Sequence, residues 1–443
     1  MKKHSILSAL IYLTTFLFSM AAYAQDQDES ITEKEQKEVI EAVGKQLTDK
    51  YVFPEMGKKM ADQLKKNMKK GQYEAIDNAL EFQEALTQDL QAVSKDKHIK
   101  VLFDPVEIAE QQKAQTPADK QKLKDQMVAR NRMGNFGFHE VKILEGNIGY
   151  LDLRSFQGTA YASDTAVAAM NFLSNSDAII IDLRQNGGGS PHMIQLITSY
   201  LYDEEPVHLN SFYHRPTDSH SQTWTLPHVP GKRNPNVPVY VLTSGRTFSA
   251  AEEFSYNLKN LERATLVGET TGGGAHPGGH QIATDRFAVW VPTGRAINPI
   301  TNTNWEGTGV TPHIEVEQEQ ALNTAYTKAL EELIENNPDE NAQARYQWII
   351  EGLEAEERMV ELTTSEMQSY AGSYGPRVVT LENGELYYQR GEGTKYKLIP
   401  MGNHKFSIAE IPYFRIQFEH KDDQVVALVG TYDNGRTDKN MRD

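Results

Sequence analysis

The sequence predicts an α/β protein, α+β over its whole length, with a helical segment ahead of an α/β core and a small antiparallel β module behind it. Three observations carry this. Continuous apolar runs at residues 177–183 and 237–242 alternate with helical patterns, as the strands of a parallel sheet covered on both faces do. Ahead of them, apolar side chains recur every three to four residues; behind them come short alternating runs with turn signals.

Taken in order, residues 1–24 read as a signal peptide. Lys2 and Lys3 form a basic start, residues 6–21 an apolar run, and Ala22-Tyr23-Ala24 a cleavage site. Ser8, Thr14, Thr15 and Ser19 interrupt the run and no stop-transfer charges follow, which argues against a retained span and predicts a periplasmic or secreted protein. Residues 25–105 form an N-terminal helical domain. Thr32 and Glu35 have capping-box spacing, Val39, Val43, Leu47 and Tyr51 line one face, Pro54 opens a second helix, and Asp77 is positioned to cap a third carrying Phe82, Leu86 and Leu90. This is the pattern of a three-helix bundle. Residues 106–132, rich in Gln, Lys, Asp and Ala, read as a linker or flap.

The core is expected over 133–336. Strands are predicted at 136–144 and 148–153 around the Glu145-Gly-Asn147 turn, then at 177–183, 237–242 and 265–267, with helices at 193–201, 250–261 and 321–336. A helical connector follows over 337–359. Residues 360–443 read as the β module, with Asn383-Gly384 as its strongest hairpin signal.

Composition removes several classes of function. A net charge of −16 argues against nucleic acid as a partner, because phosphate binding rests on Lys and Arg. The absence of cysteine excludes disulfides, thiolate metal sites, a cysteine nucleophile and a lipidated amino-terminal cysteine. Neither a Walker A motif nor G-x-G-x-x-G is present, so no nucleotide cofactor is expected.

What remains are four segments that together supply a serine hydrolase. Ser249 stands after a buried strand at a helix start, where the helix dipole favours a developing anion. Asp182-Leu-Arg-Gln-Asn-Gly-Gly-Gly189 is a strand followed by a glycine-rich turn, so backbone N–H groups of Gly187 and Gly188, with that of Ala250, could form an oxyanion pocket. Ser94-Lys-Asp-Lys-His98 offers an imidazole, and Trp305-Glu306-Gly-Thr-Gly309 a carboxylate on a constrained loop. Each also has an ordinary reading: Ser249 as half of a capping box with Glu252, the glycines as a tight turn, His98 and Glu306 as solvated surface groups. His276 and His280 are rival bases or metal ligands. Pro277 and the neighbouring glycines forbid a helix that would align them and no H-E-x-x-H exists, so no metal is expected.

These motifs resemble the tail-specific, or carboxy-terminal-processing, serine peptidases, in particular the interphotoreceptor retinoid-binding-protein-like and tricorn-core branch. The resemblance rests on Lys50-Tyr-Val-Phe-Pro-Glu55, Asp96-Lys-His98, Asp182-Leu-Arg-x-Asn-Gly-Gly-Gly189, Thr247-Phe-Ser-Ala-Ala-Glu-Glu253, Val267-Gly-Glu-Thr-Thr-Gly-Gly-Gly274 and Glu306-Gly-x-Gly-Val-x-Pro312, over residues 30–320. It implies a ClpP/crotonase-like core and an exported serine-type peptidase acting on peptides or unfolded protein. The tricorn-like arrangement, carried onto this chain, gives Ser249 as nucleophile, His98 as base and Glu306 as orienting carboxylate. Two departures accompany it. The processing proteases place a dyad lysine where this chain has Gly274, and Lys259, ten residues along a helix from Ser249, is about 15 Å away along its axis. Only some 35 residues separate His98 from the core strands, too few for a peptide-binding PDZ domain. The same fold implies an alternative, a non-catalytic binder of retinoid or fatty acid, and an esterase would use the same chemistry.

Overall fold

The computed structural model describes residues 28–443 except Gln115 and Met359, so the expected signal peptide lies outside the described residues. The chain divides into two compact units, each discontinuous in sequence. Among the described residues, the first contains residues 28–123 with Tyr213–His220 and His276–Arg295, the second the remainder.

The first unit is built on helices Glu33–Lys50, Pro54–Lys69 and Ala79–Ser94. Thr32 Oγ1 accepts the Glu35 N–H at 3.2 Å and caps the first helix, but only this half of the expected capping box forms, because the Glu35 carboxylate takes Arg286 Nη1 at 2.9 Å instead. Asn78 rather than Asp77 caps the third. Its backbone is extended, and its Oδ1 accepts the N–H groups of Leu80 at 2.8 Å and Glu81 at 3.2 Å. The helices bury Val39, Val43, Leu47, Met60, Leu64, Phe82, Leu86 and Leu90 against Val101, Phe287, Val289 and Val291. Those last four stand on an antiparallel sheet ordered Lys100–Phe103, Phe287–Pro292, Gly278–Ile282, in which Val101 pairs with Val289. The helices therefore close on a sheet rather than only on one another. The reason is the alternation of Phe287, Val289 and Val291, which turns one face of that strand into core and draws residues 276–295 out of the sequence-defined α/β segment.

The second unit is organised by a six-stranded sheet ordered Ile314–Glu315, Thr265–Gly268, Val239–Thr243, Ala178–Asp182, Ile148–Leu153, Phe138–Leu144. Neighbours run parallel except the last pair, which is an antiparallel hairpin. The four inner strands are buried on both faces. Ile179, Ile181, Val241 and Leu266 face helices Thr159–Phe172, Pro191–Ser199 and Ala250–Asn260. Ile180, Tyr240, Leu242 and Val267 face helices Ala321–Asn336 and Glu340–Arg358. This double burial is why the strand sequences read as continuous apolar runs. The helix Thr159–Phe172 has no expectation from sequence behind it: its buried positions are Ala162, Ala166, Ala169 and Met170, and three alanines with one larger side chain give only a weak apolar stripe.

Residues beyond Thr363 form antiparallel sheets of four and five strands around one core of Tyr370, Tyr374, Leu386, Phe406, Ile416 and Phe418. Asn383 and Gly384, with φ of 51° and 82°, make the tight turn between Arg377–Glu382 and Glu385–Arg390. Among the described residues no helix is long and apolar enough to cross a membrane.

Candidate active site

In the second unit, two of the parallel strands lead from their carboxyl ends into the turns that carry candidate residues, where open α/β sheets place their sites. Val239–Thr243 leads into the Ser244–Ser249 turn and the helix Ala250–Asn260. Ser249, the residue before that helix, has φ 54° and ψ −118°, a conformation that costs a non-glycine residue about 1–3 kcal/mol. Its N–H donates to Glu252 Oε2 at 2.9 Å.

Ala178–Asp182 leads into the glycine turn. Asn186 is wholly buried, with its Nδ2 on the Leu153 carbonyl at 2.8 Å and its own carbonyl accepting the Phe248 N–H at 3.0 Å. This pins the turn against Ser249. Gly188, at φ 109°, passes so close that a Cβ there would lie 2.8 Å from the Ser249 Cβ and 2.9 Å from the Ala250 nitrogen, so only glycine fits. The Gly188 N–H, expected as an oxyanion donor, is instead committed to Asn186 Oδ1 at 2.8 Å. Among the described residues no acceptor takes the N–H of Gly187 or of Ala250.

Glu252 emerges as the joint of this unit. Buried completely, it accepts four hydrogen bonds: from Ser249 N–H, from Gly274 N–H at 2.8 Å, from Gly273 N–H at 2.6 Å and from the Thr271 hydroxyl at 2.5 Å. Burial pushes its carboxyl above the ordinary range, with the hydrogen bonds opposing that rise. The Thr271 Oγ1 in turn accepts the Val310 N–H at 2.7 Å, and Glu306 Oε2 accepts the Ala275 N–H at 2.6 Å. The segments carrying Ser249 and Glu306 are thus held to one another through Glu252 and the 271–275 loop. Sequence reasoning saw Glu252 only as half of a capping box, because its other three donors lie some 20 residues away. Gly274, standing where the processing proteases have lysine, is one of them, and Lys259 Nζ is committed to the Thr311 carbonyl.

His98, Asp96 and His276 belong to the first unit. Asp96 is 1 % exposed and takes His276 Nδ1 at 2.9 Å, the Tyr51 hydroxyl at 3.1 Å and the His98 backbone N–H at 3.0 Å, with His98 Nδ1 at 3.7 Å. Burial alone would raise its pKa, but the hydrogen bonds and charges of His276 and His98 hold it below the ordinary carboxylate range. His276 is buried and meets Phe53 edge to face, whereas His280 lies exposed against the edge of Trp290. The three histidines therefore stand in different environments. The only sign of Asp96 in the sequence is its Asp-x-His spacing to His98.

A strained serine that follows a parallel strand through a short turn, opens a helix and lies against a glycine turn is the geometry of a serine hydrolase. Residues 147–316 match the family model described as peptidase family S41, and residues 28–145 the model described as the N-terminal domain of peptidase S41 in eukaryotic IRBP. The two matches together cover more than half of the chain, which belongs to peptidase family S41 and is a serine peptidase by family. Among solved structures, an S41 protease from Bacteroides fragilis shares 24 % identity over 43 % of this chain, with a TM-score of 0.38, and this chain spans 56 % of its length. The photosystem II D1 C-terminal processing protease shares 16 % over 65 % of this chain and 94 % of its own, with a TM-score of 0.40. The tricorn protease shares 14 % over 72 % and 37 %, with a TM-score of 0.42.

Proposed function

We propose that this chain is an exported serine endopeptidase that hydrolyses peptides or unfolded segments through an acyl-enzyme formed on Ser249. The observation that carries the reading is the backbone of Ser249, held off the favoured regions at the head of a helix beside Gly188. In this mechanism His98 takes the hydroxyl proton as Ser249 attacks the scissile carbonyl, and returns it to the leaving amine; Glu306 orients the imidazole; water then repeats the cycle on the ester. The N–H groups of Gly187 and Ala250 are the donors proposed for the oxyanion, while Gly188 contributes by its lack of a side chain. Export rests on the pattern of residues 1–24, and a mature amino terminus at Gln25, read by sequencing the protein recovered outside the cytoplasm, is the expected outcome.

The test of the reaction is hydrolysis of casein or a mixed peptide pool by the purified protein and by Ser249→Ala. Removal of a covalent nucleophile lowers turnover by about 10⁴-fold or more. Turnover by Ser249→Ala at the wild-type rate rules the assignment out. His98→Ala should also lose acylation, and Gly274→Lys should not restore it; full activity in His98→Ala with loss in His276→Ala would move the base to His276.

A further inference from the structure

Beside the glycine turn, the second unit carries a cavity of about 370 Å³ whose basic lining residues are Arg130, His139 and Arg154, with no acid among the lining. That is unexpected on a chain of net charge −16. One of these arginines is held in place: Arg154 lays Nε and Nη2 on Asp152 at 3.2 and 2.9 Å, and His139 Nδ1 meets the same carboxylate at 3.0 Å. Asp152 therefore orients both side chains and leaves Arg154 Nη1 for the cavity. Arg130, on the helix Pro117–Met133, has no ion-pair or hydrogen-bond partner among the described residues. One wall is apolar, formed by Phe136, whose ring lies 5.8 Å from that of Tyr161. Phe136 is the middle of three successive left-handed residues, with φ of 47°, 54° and 88° at Asn135, Phe136 and Gly137. Two non-glycine residues held there mark a loop that the surrounding structure constrains.

The cavity is wired to the nucleophile turn. Asn131 Nδ2 donates to Gln157 Oε1 at 2.8 Å, Gln157 Nε2 to Ser155 Oγ at 2.8 Å, and Ser155 Oγ to the Gly188 carbonyl at 3.4 Å, while the Phe156 N–H donates to that same carbonyl at 2.9 Å. Residues 154–157 thus run from the cavity to the glycine that abuts Ser249. The geometry points to a carboxylate-binding subsite: the cavity takes a carboxylate of the peptide whose scissile bond lies at Ser249, by charge-assisted hydrogen bonds from Arg130 and Arg154 with the adjoining apolar stem on Phe136. The inference rests on the peptidase reading. The carboxylate can belong to an Asp or Glu side chain at a fixed distance from the cleaved bond or to the chain terminus.

The experiment is cleavage by the full chain of a mixed-sequence library of acetylated decapeptides, read by mass spectrometry. One pair of pools differs only in Glu against Gln at a scanned position, the other only in a terminal carboxylate against a carboxamide. The expected result is about a tenfold preference in kcat/KM for the charged member, falling towards unity in Arg130→Gln and in Arg154→Gln. Preference in the first pair assigns the side chain, and preference in the second assigns the terminus. Equal cleavage of charged and neutral members by wild type, or a preference that survives both substitutions, overturns the subsite while leaving the peptidase reading intact. No cleavage of any pool overturns both.

Discussion

Two adjacent acids follow Ser249 into its helix, and burial acts on both. Glu252 meets four donors with two oxygens, so Glu252→Gln leaves a single acceptor oxygen and turns an amide NH₂ towards backbone N–H groups. An unsatisfied buried donor costs about 1–3 kcal/mol, and a shift of the reacting groups by about 1 Å costs about 10²-fold in rate. Glu252→Gln should therefore lower both the melting temperature and the rate at which a fluorophosphonate acylates Ser249; a lower melting temperature with an unchanged rate at 20 °C would leave Glu252 a purely structural residue. Glu253 has no such donors. It is 4 % exposed, with the side-chain amides of Asn210 and Asn257 as polar neighbours, and burial pushes its carboxyl up to about 7 from 4.5. Because the folded state holds the proton more tightly than the unfolded chain, stability falls as pH rises from 4.5 to 7 and stays lower above it. Glu253→Gln should gain up to about 3 kcal/mol over wild type at pH 8 and little at pH 4.5, as denaturant melts at the two pH values would show. Equal gains at both would mean that Glu253 is not the titrating group.

At the scale of elements, the glycine turn after Ala178–Asp182 is the part least tolerant of change. Gly188→Ala places a methyl group into the Ser249 Cβ and the Ala250 nitrogen at a positive φ, and should lower kcat/KM by at least about 10²-fold while the sheet beneath stays folded by circular dichroism. Near-wild-type activity would show that the turn yields. The strands and helices on either side of this turn were legible in the sequence to within a few residues, since 177–183, 237–242 and 321–336 each carry an apolar pattern that a doubly covered sheet or an amphipathic helix imposes. The turn itself was legible as glycines but not as geometry: that Asn186 would take the Gly188 N–H depends on the buried contact of Asn186 with Leu153, 33 residues earlier. Glu252, Asp96 and the cavity at Arg154 were hidden for the same reason. Each acquires its role from partners far along the chain, and spacing reports only near neighbours.

At the scale of the molecule, the chain forms two compact units, Ser249, Glu252 and Glu306 belonging to one and His98 to the other. The carboxyl-terminal β module belongs to the unit that carries Ser249. Arg415 stacks on Trp348 at 3.8 Å from its ring centroid and pairs with Glu351 at 3.1 Å, both on the helix Glu340–Arg358 whose Tyr346, Ile349 and Ile350 complete the core beneath the sheet. The module's own core is separate, so a chain ending at Glu361 should melt several degrees lower yet still take a fluorophosphonate; failure to label would make the module part of the catalytic unit's folding core. Whether Ser249 is a working nucleophile is decided by treating the full chain with a fluorophosphonate and mapping the adduct by mass spectrometry. The account predicts a single stoichiometric adduct on Ser249, absent in Ser249→Ala and slowed by orders of magnitude in His98→Ala. A folded protein that stays unlabelled, or one labelled equally in Ser249→Ala, would contradict it.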